Sequence, residues 1–165
     1  MSQLTIFTET GEELGRTQDP DEIAGALNRI GVRFEHWPVG DYQDRVEALR
    51  AAGYTTIDTI GVAPDHPDRA AMRQKFLSEH SHAEDEVRFF LAGQGLFTLR
   101  AHGHVHTLLC TAGDMVSVPA GMRHWFDMGP RPEFTAMRFF RTPDGWVGDF
   151  TGDSIADRFP RLEDA

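Results

Sequence analysis

Glu79-His80-Ser81-His82-Ala83-Glu84-Asp85-Glu86-Val87-Arg88-Phe89-Phe90 is the stretch whose reading decides the fold. Its first half is rich in imidazoles and carboxylates, and its second half is an apolar run that reads as a strand. Residues two apart in a strand share a face and lie about 6.6 Å apart along it. His80 and His82 can therefore turn both imidazoles into one cavity. Glu84, Glu86 and Arg88 have the same parity, while Asp85, Val87 and Phe89 point the other way. Two carboxylates compete as a third ligand on this count, and a bulge would alter it.

Downstream, apolar runs of five to eight residues are separated by turn sequences, which predicts an all-β sandwich or barrel, most simply a jelly roll. The expected strands are Leu96 to Arg100, Val105 to Cys110, Met115 to Val118, Trp125 to Met128 and Phe134 to Arg141. Gly93-Gln94-Gly95, His102-Gly103-His104, Ala112-Gly113-Asp114 and Ala120-Gly121 read as the turns between them. A strand and tight turn bring a fourth group, His124, beside the histidine pair. Imidazole plus carboxylate without thiolate suits iron, nickel, cobalt or manganese better than a structural zinc. His102, His104 and His106 also alternate, but around a hairpin tip with no carboxylate in support, so they are expected at an exposed turn.

Upstream the texture is mixed. Asp19 is expected to cap a helix that opens with Pro20, with Glu22 closing a capping box and Gly31 ending the run. Val32 to Trp37 reads as a strand, a second helix runs from about Tyr42 to Gly53, and Thr55 to Val62 reads as a strand. A short helix after Pro67 carries Met72, Phe76 and Leu77 toward the histidines.

The chain has 165 residues, twelve Phe, three Trp and a formal charge of -10. That length is enough for one hydrophobic core, and the expectation is one domain over 1–165, with 1–75 wrapping a barrel of 76–165. The negative charge disfavours nucleic-acid and anionic-membrane partners. The single cysteine, Cys110, sits in an apolar run and is expected as a small buried hydrophobe. A cytoplasmic monomer is the expectation, since no signal segment is visible and nothing demands a partner subunit.

His80-x-His82-x3-Glu86-x6-Gly93, followed by Gly113-x5-Pro119-x-Gly121-x2-His124, resembles the paired motifs of the cupin superfamily, with Met128 where an asparagine is usual. The stretches Lys75 to Phe90, Val118 to Gly121 and His124 to Gly129 resemble the acireductone dioxygenase family. So do Gly145-Trp146, Phe150 to Asp153 and Phe159 to Leu162. The resemblance implies a mainly β cupin jelly-roll barrel with short peripheral helices. It implies one iron(II) or nickel(II) ion per chain, held by His80, His82, Glu86 and His124. It implies O₂-dependent cleavage of acireductone, a small ene-diol ketone of methionine salvage. Arg88 would then help generate the substrate dianion, Asp85 would relay conformational change, and Glu79 would serve metal incorporation. Phe76, Phe126 and Trp146 would wall the substrate's apolar tail. Arg138 would either reach the pocket or form a salt bridge, the latter being favoured. The alternatives are another cupin oxygenase or isomerase, or a non-catalytic cupin that binds metal or ligand.

Overall fold

The computed structural model describes residues 1–165. In chain order the strands are β1 (Gln3–Thr8), β2 (Glu13–Thr17), β3 (Arg33–His36), β4 (Thr56–Val62), β5 (His80–Ser81) and β6 (Glu86–Ala101). They continue with β7 (His104–Thr111), β8 (Asp114–Val118), β9 (Arg123–Asp127), β10 (Phe134–Phe140) and β11 (Asp149–Phe150). Three α-helices accompany them, α1 (Pro20–Asn28), α2 (Gln43–Ala51) and α3 (Arg69–Leu77), with short 3-10 turns near the C-terminus. No helix is long and apolar enough to cross a membrane.

Two antiparallel sheets share β6. One runs β11-β5-β9-β6-β7-β1-β2, and the other runs β4-β10-β6-β8-β3. The N-terminal half of β6 pairs with β8 and β10, and its C-terminal half with β7 and β9. This mainly β jelly-roll layout is the one expected. Gly93-Gln94-Gly95 is not a turn, however, because β6 continues through it, bent but unbroken. Opposite Thr135 and Ala136 the register slips by one residue, leaving Leu91 as a bulge. The bulge reverses the alternation: Glu86, Arg88 and Phe90 face the interior before it, and Phe97 and Leu99 after it. Gly93 has φ +74°, and a Cβ there would lie 1.9 Å from the Glu133 carbonyl oxygen, so the bend requires glycine.

Phe90, Phe97, Leu99, Leu108, Val116, Phe126 and Phe134 fill the space between the sheets, together with Ile23 and Leu27 of α1. The outward residues Val87, Phe89, Met115 and Phe139 are covered by Trp37, Tyr54 and Val46 of α2. On the other outer face, Val105 and Trp125 are covered by Ile155, Ala156 and Phe159. Asp19 caps α1 by accepting from the Asp21 and Glu22 N–H groups. The capping box is not closed by Glu22, because the Asp19 N–H donates to Thr17 Oγ1 at 3.1 Å. Strands β1 and β2 were not foreseen. β1 adds to the edge of β7, and β2 is exposed along almost its whole length, so its pattern lacks the alternation of a half-buried strand.

Candidate metal centre and its cavity

At one end of the interior, β5 pairs with β9 so that His80 stands opposite His124, and β9 pairs in turn with β6. His82 follows β5 directly. The ring nitrogens of His80, His82 and His124 that face one another lie within 4.8 Å. Their other nitrogens are already committed: Nδ1 of His80 bonds the Ser78 carbonyl at 2.7 Å, that of His82 the Val147 carbonyl at 3.1 Å, and that of His124 the Met122 carbonyl at 2.9 Å. A carbonyl oxygen only accepts, so each Nδ1 carries the hydrogen and each neutral ring presents its Nε2 lone pair.

Glu86 completes the cluster. Its Oε2 lies 3.0 Å from His82 Nε2 and 3.8 Å from His124 Nε2, while its Oε1 lies 2.9 Å from Arg88 Nη2. Both carboxylate oxygens are buried without a well-directed hydrogen bond. An imidazole lone pair and a carboxylate oxygen at 3.0 Å repel unless a cation or proton lies between them. Three imidazole nitrogens and a carboxylate, oriented this way, fit a divalent transition ion.

The electrostatics agree with that donor set. Burial pushes His124 down to about 4 and also lowers His80, so both rings stay neutral. Burial also opposes charge on His82, but its contact with Glu86 raises it. For Glu86 burial alone would raise the pKa, yet the Arg88 charge and the neighbouring His82 and His124 hold it well below the usual carboxylate range. Burial lowers Arg88, and Glu86 counters it.

The structure brings His80, His82, Glu86, His124 and Arg88 together, but not by one regular strand. β5 ends at Ser81 and β6 begins at Glu86, so simple parity does not cross the gap. Glu84 is engaged elsewhere: it accepts from the Arg141 N–H at 2.5 Å, the Thr142 N–H at 2.9 Å and the Thr142 hydroxyl at 2.8 Å. Asp85 accepts from the Ala120 N–H at 2.8 Å and faces Arg141 at 3.3 Å. Glu79 is buried, accepting from Arg100 and from the Thr151 hydroxyl.

The cluster opens into a cavity of about 680 Å³ that Phe76, Phe126, Trp146 and Arg138 also line. Arg138 combines both expected roles, since it lines the cavity and forms a bidentate pair with Asp58 at 3.0 and 2.6 Å. A larger cleft of about 1150 Å³, between α3 and the C-terminal segment, lies outside the imidazole cluster. Sequence reasoning missed Phe97, Phe140 and Phe150. Phe97 and Phe126 each hold the Arg88 guanidinium 5.0 Å from their ring centres. Phe140 packs 5.5 Å from His82 and Phe150 5.4 Å from His80. Phe140 shares the parity of Arg138 and was findable, whereas the bulge concealed Phe97. The expected exposed turn at His102 to His106 holds only for its first part. His106 is buried on β7, where burial pushes it down to about 4. Cys110 is buried, as expected.

Residues 3–148 match the profile of the ARD/ARD' family. An acireductone dioxygenase of a Synechococcus strain is 52% identical, covering 98% of this chain and 99% of that protein. One from Pseudomonas paraeruginosa is 48% identical, covering 99% of this chain and 100% of that one. Among solved structures, the acireductone dioxygenase from Bacillus anthracis with a cadmium ion in its active center superposes with a TM-score of 0.81 at 25% identity, over 91% of this chain and 98% of that one. The cupin fold, the near-half identity and the end-to-end coverage agree, and the chain is an oxygenase enzyme belonging to the ARD/ARD' family, the acireductone dioxygenases.

Proposed function

We propose that this chain cleaves acireductone, 1,2-dihydroxy-5-(methylthio)pent-1-en-3-one, with O₂ in methionine salvage, using one iron(II) or nickel(II) ion held by His80, His82, Glu86 and His124. The observation that carries this reading is the convergence of three Nε2 lone pairs on a buried carboxylate whose other oxygen faces Arg88. A divalent ion held by these four side chains would supply Lewis-acid chemistry that favours the ionised ene-diol and its reaction with O₂.

The residues of the chain do the rest. Carbonyls of Ser78, Val147 and Met122 fix the three imidazole tautomers and keep their lone pairs directed inward. Phe97 and Phe126 grip the guanidinium of Arg88, whose Nε–H has no protein acceptor, leaving a donor for a substrate oxygen. A divalent ion with one carboxylate carries +1 and Arg88 adds +1, which balances a substrate dianion in a site of low polarity. Phe76, Phe126 and Trp146 offer an apolar wall to the methylthioethyl tail and exclude water from it.

The products are proposed to follow the ion: formate and 4-methylthio-2-oxobutanoate with iron(II), and formate, carbon monoxide and 3-methylthiopropanoate with nickel(II). Exchanging the ion in one preparation and assaying carbon monoxide tests this. Release with nickel(II) but not with iron(II) is expected, and equal release with both contradicts it. The chain is further proposed to act as a single cupin domain and a cytoplasmic monomer, without nucleic-acid or membrane partners. Its charge of -10 supports the last point.

A further inference from the structure

Of the sixteen basic residues in this chain fifteen are arginine, and the one lysine, Lys75, stands at the rim of the cavity that holds the candidate metal centre. It occupies the last turn of α3, next to Phe76, and is exposed. The other two cations lining this cavity are matched by carboxylates, Arg88 by Glu86 at 2.9 Å and Arg138 by Asp58 at 2.6 Å. Lys75 has no ion pair and no side-chain hydrogen bond, so it is the one lining cation left uncompensated.

From this arrangement we infer that Lys75 is the capture residue for the anionic substrate, drawing the ene-diolate to the cavity mouth and passing it to Arg88. The inference rests on the function proposed above. A chain with a net charge of -10 repels an anion on average, so a local positive point at the entrance governs approach. Lysine suits that task better than arginine. Its ammonium is a compact, strongly hydrated charge on a flexible stem, which attracts an oxyanion without the planar bidentate grip that would retain it. A merely structural role, complementing the carbonyl end of α3, would involve neither substrate nor salt.

The test is Lys75→Gln and Lys75→Arg in metal-loaded enzyme, with Arg50→Gln, a surface change of equal charge, as the control. At low salt Lys75→Gln is expected to lower kcat/KM about tenfold with kcat little changed. The deficit should shrink to about twofold near 0.5 M salt, where screening removes the field. Lys75→Arg should restore the salt dependence, and Arg50→Gln should behave as wild type. Equal kcat/KM for wild type and Lys75→Gln at low salt overturns the inference.

A second measurement does not depend on turnover or on a variant's folding. Reductive ¹³C-methylation of wild type marks Lys75 as the only lysine while preserving its charge. Its resonance should shift saturably when acireductone is added anaerobically, and an unmoved resonance overturns the inference. Absence of turnover in wild type would instead contradict the function proposed above, which keeps the two failures apart.

Discussion

Nη2 of Arg88 stands 2.9 Å from Oε1 of Glu86, so one buried carboxylate links the candidate metal position to the guanidinium proposed to meet the substrate. The pair lies on one face of β6, two residues apart, where strand geometry brings their side chains together. Removing either partner leaves the other buried and charged, which makes their separate effects readable.

Glu86→Ala removes the only carboxylate among the four converging groups and is expected to lose most bound metal. Glu84→Ala should retain it, because Glu84 ties down Arg141 and Thr142 instead. Metal analysis of the two purified variants decides, and equal retention by both would overturn the assignment of Glu86.

Arg88→Met should keep the metal and lower kcat/KM by about a hundredfold or more, as expected for losing a charged donor aimed at the reacting anion. Loss of metal in this variant would mean that Arg88 holds Glu86 in place and is not chiefly a substrate group. Metal content measured beside steady-state kinetics separates the two.

Asp127 anchors the outer end of β9. It accepts from Arg73 at 2.7 Å and from the N–H groups of Gly129 and Leu162 at 2.9 and 2.8 Å. Burial opposes its charge, but these donors hold its pKa below the ordinary 3.8. A depressed folded-state pKa means stability present above the unfolded value and lost as pH falls through the folded one. Asp127→Asn should therefore cost about 3 kcal/mol at neutral pH. The gap to wild type should close as pH falls below 3.8, since the protonated acid resembles the amide. Urea midpoints across that range test this, and a gap independent of pH contradicts it.

Gly95→Ala places a Cβ 2.2 Å from the Phe126 ring, in the wall that holds Arg88. The expected cost is about 1–3 kcal/mol of stability. A rise in KM with metal content unchanged should accompany it. Wild-type kinetics in a stable variant would show that Phe126 can shift without consequence.

Much of this was legible from the sequence, for identifiable reasons. Helix α1 announced itself through Asp19, Pro20 and Gly31, and β8 to β10 through apolar runs between turn residues. His80, His82 and His124 stood out because imidazoles at such spacing have few other uses. The choice between Glu84 and Glu86 was not decidable by parity, since the two share it, and the strand in any case breaks between Ser81 and Glu86. The long course of β6 was hidden because Gly93 and Gly95 mimic a turn, although one makes a bend and the other accommodates Phe126. Phe97 stayed hidden for the related reason that a single bulged residue, Leu91, reverses the alternation before it. The carbonyls of Ser78, Met122 and Val147 that set the histidine tautomers have no side-chain signature at all.

The central claim is that the four converging side chains and Arg88 form a metal-dependent acireductone dioxygenase site. It is tested most directly by mixing metal-loaded protein with acireductone under anaerobic conditions, admitting O₂, and following the substrate's ultraviolet absorbance. The account predicts loss of absorbance well above the uncatalysed rate, with formate released and with the effect abolished in Glu86→Ala. Consumption no faster than without protein, in a preparation shown to carry one ion per chain, would contradict it.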